Sequence, residues 1–445
     1  EGFIGESLER KSIVPAGNPW FYDPKQLAGS QKNKRLRMYD TMQFLYELQN
    51  EFYSRYVKAI RDTGYQGEIM GSNWQAGRAL SHYYNLHSDY LVGLIDRHNY
   101  FGGRSGDNIN NASMCRMPGS ALLSSGMQQV ADRPFMLSEW IHVWPNEWGV
   151  EGPAIIAAYG MGLQGWDVSY MFQNRDNGQF SPVVGRDQWD VTAPQVLGLF
   201  PAVARQVHRG DVKESELTAT RYVHVPSLAQ GRIGFDDTVM QAHDIKSFGS
   251  DKVPFQTLSV ARSVVEFTDQ YRETPAFDLS PYVQNGLYKS STGQLRWQQG
   301  DSRHSGYFTI DSPATKAVVG FAQGQTIRLG NVTIKPQSRF AAIYVTAQEE
   351  DKDINSSQKL LIVALARARN TDMKIFQDTR LLNKGKSPVL MEPVRAQITV
   401  NRQDILKAIA LDHDGRKTQT ILPIQDRTIT IDGALQKTIY YQLEY

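Results

Sequence analysis

Ser138-Glu139-Trp140 closes the apolar run Pro134-Phe135-Met136-Leu137 and sets a carboxylate beside an indole. At the end of a buried strand, that pairing suits the chemistry of glycoside hydrolysis. Two carboxyl groups flank the scissile bond, and a separation of about 5–5.5 Å gives retention through a covalent intermediate. Planar indoles match the apolar C–H faces of pyranose rings. Five of the eight Trp (Trp140, Trp144, Trp148, Trp166 and Trp189) fall within fifty residues. The same residues also suit a salt-bridged strand-end carboxylate among core indoles, so the companions matter. In Asp96-Arg97-His98-Asn99-Tyr100, strand alternation puts His98 and Tyr100 on one face. There a Tyr hydroxyl would support an ionised nucleophile and a His would bind a sugar hydroxyl. Asn73-Trp74 and Trp166-Asp167 each add a ring and a polar partner, and Trp144 extends the aromatic set.

These residues need elements to carry them. Leu45, Leu48, Phe52, Tyr56 and Ile60 recur at three and four, predicting an amphipathic helix over Thr41–Asp62 that Gly64 ends. Four short apolar runs with polar exits read as strands: 67–74, 92–101, 134–140 and 165–172. Helical stretches at 121–130, 153–163 and 194–207 separate or follow them. Strands alternating with helices predict a parallel sheet of βαβ units, and chemistry at strand C-terminal ends predicts a (β/α)8 barrel. An open doubly wound sheet is the alternative, but no Gly-rich phosphate turn opens a helix. Four strands are half of a closed barrel. The expected fold is α/β: the second half of a TIM barrel over residues 1–210, then β-sandwich material. The sandwich is expected as an accessory domain at 211–350 and a second β module, or its continuation, at 351–445. Its strands are expected at 317–321, 326–329, 332–334, 340–346, 360–366, 397–400, 428–431 and 438–443.

Composition narrows the function. The chain has 445 residues with 48 Lys+Arg against 46 Asp+Glu, a net charge of +2, which argues against a nucleic-acid partner held through phosphates. Cys115 is the sole cysteine, so no intrachain disulfide or Cys-rich zinc site forms. No apolar run reaches the roughly 18–20 residues of a membrane-spanning helix. The opening residues read as neither a signal peptide nor a start, so a processed or truncated product is expected. Asn111-Ala112-Ser113 matches a glycosylation triplet, and Asp412-His413-Asp414 reads as a polar turn rather than a metal site.

In order, Asn73-Trp74, His98-Asn99-Tyr100, Ser138-Glu139-Trp140 and Gly165-Trp166-Asp167 resemble the fifth to eighth barrel strands of clan A retaining glycoside hydrolases. The likeness covers about residues 40–210. Gly293–Trp297, Phe308–Pro313 and Ala317–Phe321 are similar to the β domain that follows such barrels in polysaccharide-degrading bacterial enzymes, agarase-like and β-galactosidase-like members above all. The resemblance implies Glu139 as nucleophile, Tyr100 as its hydrogen-bond partner, and Trp166 as the stacking residue nearest the cleaved bond. Asn73, Trp74, His98, Trp140, Trp144 and Asp167 would then line the substrate. It implies a polysaccharide or oligosaccharide substrate, no cofactor or metal, and a secreted or periplasmic protein. The family carries its acid/base Glu after an Asn on the fourth strand. Asn50-Glu51 falls inside a helix, leaving Glu1 as the candidate and Glu6 as a poorer one. A non-catalytic carbohydrate-binding protein is the alternative from a different class.

Overall fold

A computed structural model describes residues 4–14, 27–30, 32–75, 77–78, 80–174, 176–242, 245–402 and 405–445. It is a mixed helix/strand chain with many strands and few helices. The first half centres on three parallel strands, β1 (Ile95–Gly102), β2 (Phe135–Val143) and β3 (Val168–Met171), side by side in chain order. The expected strand at 67–74 is reduced to a one-residue parallel bridge, Met70 to Leu94. Asp89 explains why the chain leaves the sheet there: its carboxylate accepts the Ser72 backbone N–H at 2.9 Å and the Ser72 hydroxyl at 3.0 Å, bending the chain.

Helix α1 (Arg35–Asp62) is longer than its apolar period predicts, and Gly64, at φ +88°, ends it. Met38, Tyr39 and Met42 are buried, whereas Leu45, Leu48, Phe52 and Tyr56 stand exposed. Helix α2 (Leu80–Val92) packs on α1 and leads into β1. The 121–130 stretch is a 3-10 helix, Ala121–Gln128, and the 153–163 stretch is an α-turn, Glu151–Ile155, continued by a π-helix to Leu163. The third helical stretch is split in two, with Pro201 in the first turn of its second piece.

All eight strands expected in the C-terminal half are present within two residues of the expected bounds. They build a ten-stranded and a five-stranded antiparallel sheet over one apolar core. Arg395–Val400 shows why: Ala396, Ile398 and Val400 alternate inward. Of the two expectations for residues 351–445, the strand pairing gives continuation of the sandwich. Ala341–Ala347 pairs with Lys359–Leu365, and Val332–Pro336 with Arg395–Val400, so both sides of the loop at 350 share both sheets. Residues 211–280 also differ from expectation. Thr218–Val223 and Arg262–Phe267 pair in parallel, Val265 bridges Val130, and the hairpin 237–250 reaches β1, so the large sheets begin at Val283.

The two halves are pinned together. Glu147 is buried against the Arg367 and Arg369 guanidiniums. Arg380 pairs with Asn108, joining hairpins from the two halves. Beneath them Glu151 accepts the Ser113 hydroxyl at 2.5 Å and the Met114 N–H at 2.6 Å, and burial pushes its carboxyl up to about 7. The folded state therefore holds this proton more tightly than the unfolded chain. Its contribution is fully present below the ordinary Glu range and is lost as pH rises through 7, about 3 kcal/mol in all. Urea midpoints measured from pH 4.5 to 8 should show that decline, and Glu151→Gln should flatten it.

Among the described residues no helix is long and apolar enough to cross a membrane.

Candidate active site

A one-residue bulge shapes the centre of the sheet. Arg97 opposes Leu137 but His98 opposes Glu139, which leaves Ser138 as the extra residue of β2; the β2–β3 register breaks at the same place. Such bulges re-aim side chains. Leu137 stays in the core, while Ser138 and Glu139 both reach the His98 ring. Ser138 Oγ lies 3.0 Å from His98 Nε2, and Glu139 Oε2 lies 3.2 Å from His98 Nδ1. Tyr100, two residues along the same face, donates its hydroxyl to Glu139 Oε1. The Glu139 side chain is 29% exposed and that of His98 11%, so the carboxylate is partly open to water while the ring is nearly buried.

Behind these groups lies a buried polar layer. Asp96 Oδ2 accepts the Ser138 hydroxyl at 2.6 Å and Oδ1 the Ser138 N–H at 3.0 Å. Burial raises the Asp96 carboxyl above its ordinary value while these bonds oppose the rise. Asn99 Oδ1 accepts the Lys246 N–H at 3.0 Å, and the Lys246 ammonium donates to the His98 carbonyl at 3.1 Å. That ammonium also stands 3.9 Å from the centroid of the Trp74 ring, so Trp74 joins the site through a cation. Past β3, Phe172 and Trp189 meet edge-on at 5.9 Å, and Trp189 lies edge-on to Tyr100 at 6.5 Å. The loop carrying Trp189 is fastened by Ser181, whose hydroxyl donates to Asp190 at 2.8 Å.

The geometry thus gathers Glu139, Tyr100, His98 and, through Lys246, Trp74. Asn73 is exposed on the adjoining turn. Glu139 is not at a strand tip, because β2 runs on to Val143 and β1 to Gly102. Trp140 points away, buried, with its indole N–H on Ser169 Oγ at 2.8 Å. Trp144 packs in a separate cluster with Ile109 and Val184. Trp166 and Asp167 lie at the opposite end of the sheet. β3 starts only at Val168, Asp167 Oδ2 accepts the N–H of Phe135 at the start of β2, and Trp166 is 2% exposed against Phe135. Gly160 makes room for that indole: a Cβ there would fall 2.7 Å from the ring. Gly160→Ala should therefore cost about 1–3 kcal/mol in urea unfolding.

Glu1 lies outside the described residues. Glu6 is paired with Arg37, and Glu51 is exposed on α1. Asn111 is buried against Glu147 and unavailable to a glycosyl carrier. Asp412 accepts the N–H groups of Asp414 and Arg416, forming a turn. Among the described residues, no three His, Cys, Asp or Glu side chains gather to hold a metal ion.

Sequence reasoning missed Asp96, Lys246 and Phe172 as site residues, and it noted Ser138 and Trp189 without giving either a role of its own. Of those missed, only Asp96 carried a local signal, since alternation places it on the face of His98.

No family model, curated protein or solved structure matches this chain.

Proposed function

We propose that this chain is the catalytic part of a retaining β-glycoside hydrolase acting on a polysaccharide or oligosaccharide, of agarase-like or β-galactosidase-like type. One observation carries the reading. A half-open carboxylate, Glu139, is held at one oxygen by the Tyr100 hydroxyl and at the other by the His98 ring, with Trp189 beside Tyr100. In the reaction, Glu139 attacks the anomeric carbon as a second carboxylic acid protonates the leaving oxygen. Water activated by that second group then releases the sugar. Tyr100 donates to the ionised carboxylate and keeps the attacking oxygen aimed. Glu1 is the candidate for the second carboxyl. No cofactor enters the chemistry, and a polymeric substrate places the protein outside the cytoplasm.

The same reading takes β1, β2, β3 and the Met70 bridge as strands of a (β/α)8 barrel. Their parallel sequential order supports this, as does the uncovered apolar stripe of α1, which a further βα layer would cover.

The test is hydrolysis of a panel of aryl β-glycosides and plant and algal polysaccharides, with the anomeric configuration of the first product followed by proton NMR. Turnover with a β-configured first product is expected. An α-configured product contradicts the double displacement. Sugar binding without turnover converts the reading to a carbohydrate-binding protein.

A further inference from the structure

Hydrogen-bond stoichiometry around His98 fixes more than its position. Both Asp96 oxygens accept from Ser138, one from its N–H at 3.0 Å and one from its hydroxyl at 2.6 Å. The Ser138 hydroxyl has a single proton, and Asp96 takes it. Toward His98 Nε2, 3.0 Å away, Ser138 offers only a lone pair, so Nε2 carries hydrogen. Across the ring, Nδ1 faces Glu139 Oε2 at 3.2 Å, and an ionised carboxylate also offers only lone pairs. Both ring nitrogens must donate.

We propose that Asp96 and Ser138 are positioning residues that hold His98 as an imidazolium against ionised Glu139. This rests on the glycosidase reading only for its effect on turnover; the charge assignment stands apart from it. Other charged groups fit the assignment. From the hairpin, Lys246 engages the His98 carbonyl and the Trp74 ring. Arg97, the neighbour of His98 on β1, is committed to Asp89 at 2.8 Å. Asp96 on β1 and Glu139 on β2 supply the negative charges. As pH rises and the imidazolium loses its proton, Nε2–H stays with Ser138 and the Nδ1 lone pair turns on the nucleophile. Attraction becomes repulsion, so on a substrate whose leaving group needs no protonation the alkaline limb of kcat/KM belongs to His98.

Two measurements test this on the whole chain. In long-range proton–nitrogen NMR of ¹⁵N-histidine protein, with His98 assigned by loss of its signals in His98→Gln, both His98 nitrogens should be protonated at pH 7. The apparent pKa should fall by roughly one unit in Ser138→Ala and Asp96→Asn and hold in Ser138→Thr. On a dinitrophenyl glycoside, whose leaving group needs no protonation, the alkaline limb should move to lower pH by the same amount in the first two variants, with circular dichroism unchanged. A neutral His98 at pH 7 with bare Nδ1, or a limb unmoved in folded variants, overturns the proposal. An imidazolium in a protein that cleaves no glycoside upholds the charge assignment and overturns the glycosidase reading.

Discussion

The Glu139→Gln protein should lose aryl-glycoside hydrolysis by at least roughly 10³-fold while still binding the sugar. Glutamine keeps the side-chain volume and can still accept the Tyr100 hydroxyl bond, so the sheet and its bulge persist. What disappears is the negative oxygen that, in the proposed reaction, bonds to the anomeric carbon. Glu139→Ala goes further and opens space on the face from which the carboxylate would attack. Azide supplied at high concentration should enter that space and attack an activated aryl β-glycoside, giving a glycosyl azide of inverted configuration. An acid/base residue would behave otherwise, because its loss leaves the covalent intermediate intact and azide then yields the retained product. Full activity in Glu139→Gln, or a retained azide product from Glu139→Ala, removes position 139 from the nucleophile role.

The second large effect concerns stability. Arg97 and Asp89 are fully buried side chains whose Nη1 and Oδ2 meet at 2.8 Å. Arg97 Nε also donates to Gln128 Oε1 at 2.6 Å, while Asp89 holds the Ser72 turn that carries Asn73-Trp74. Removing one member leaves the other charged in a water-free interior, which typically costs 3–5 kcal/mol. Arg97→Leu should therefore lower the urea midpoint by an amount equivalent to about 4 kcal/mol. Arg97→Lys should recover only part of it, since an ammonium cannot serve Asp89 and Gln128 with the same fork. The double variant Arg97→Leu with Asp89→Leu should be more stable than Arg97→Leu alone, because no orphaned charge remains. A single-variant loss below about 1 kcal/mol, the scale of an exposed pair, contradicts the burial argument.

What the sequence made legible follows from period and spacing. Alternation put His98 and Tyr100 on one face, and apolar runs located β1, β2 and the sandwich strands, because those signals are local. Register is not local. That Ser138 and Glu139 both oppose His98 depends on a bulge set by the pairing of β1 with β2, and no residue near 138 announces it. Trp166 was misplaced for a related reason. Gly165-Trp166-Asp167 reads as a strand, yet pairing begins at Val168, and the space for the indole comes from Gly160 and Gly126 on other segments. Trp189 reaches Tyr100 from a loop far along the chain; its place among five clustered Trp marked it as an aromatic of interest but not as a neighbour of Tyr100. The stripe on α1 was visible as a period, but a period says only that a face is apolar and not what covers it.

The central claim is that Glu139 becomes covalently bound to sugar. Incubation with 2-deoxy-2-fluoro glycosides bearing a good leaving group, across the gluco, galacto and manno series, slows release of the intermediate and allows it to accumulate. Proteolysis and mass spectrometry should then find one fluoroglycosyl group on the peptide containing Ser138-Glu139-Trp140, with fragmentation placing it on Glu139. A label on any other carboxylate, or enzyme that turns over glycosides yet is never labelled, contradicts the account.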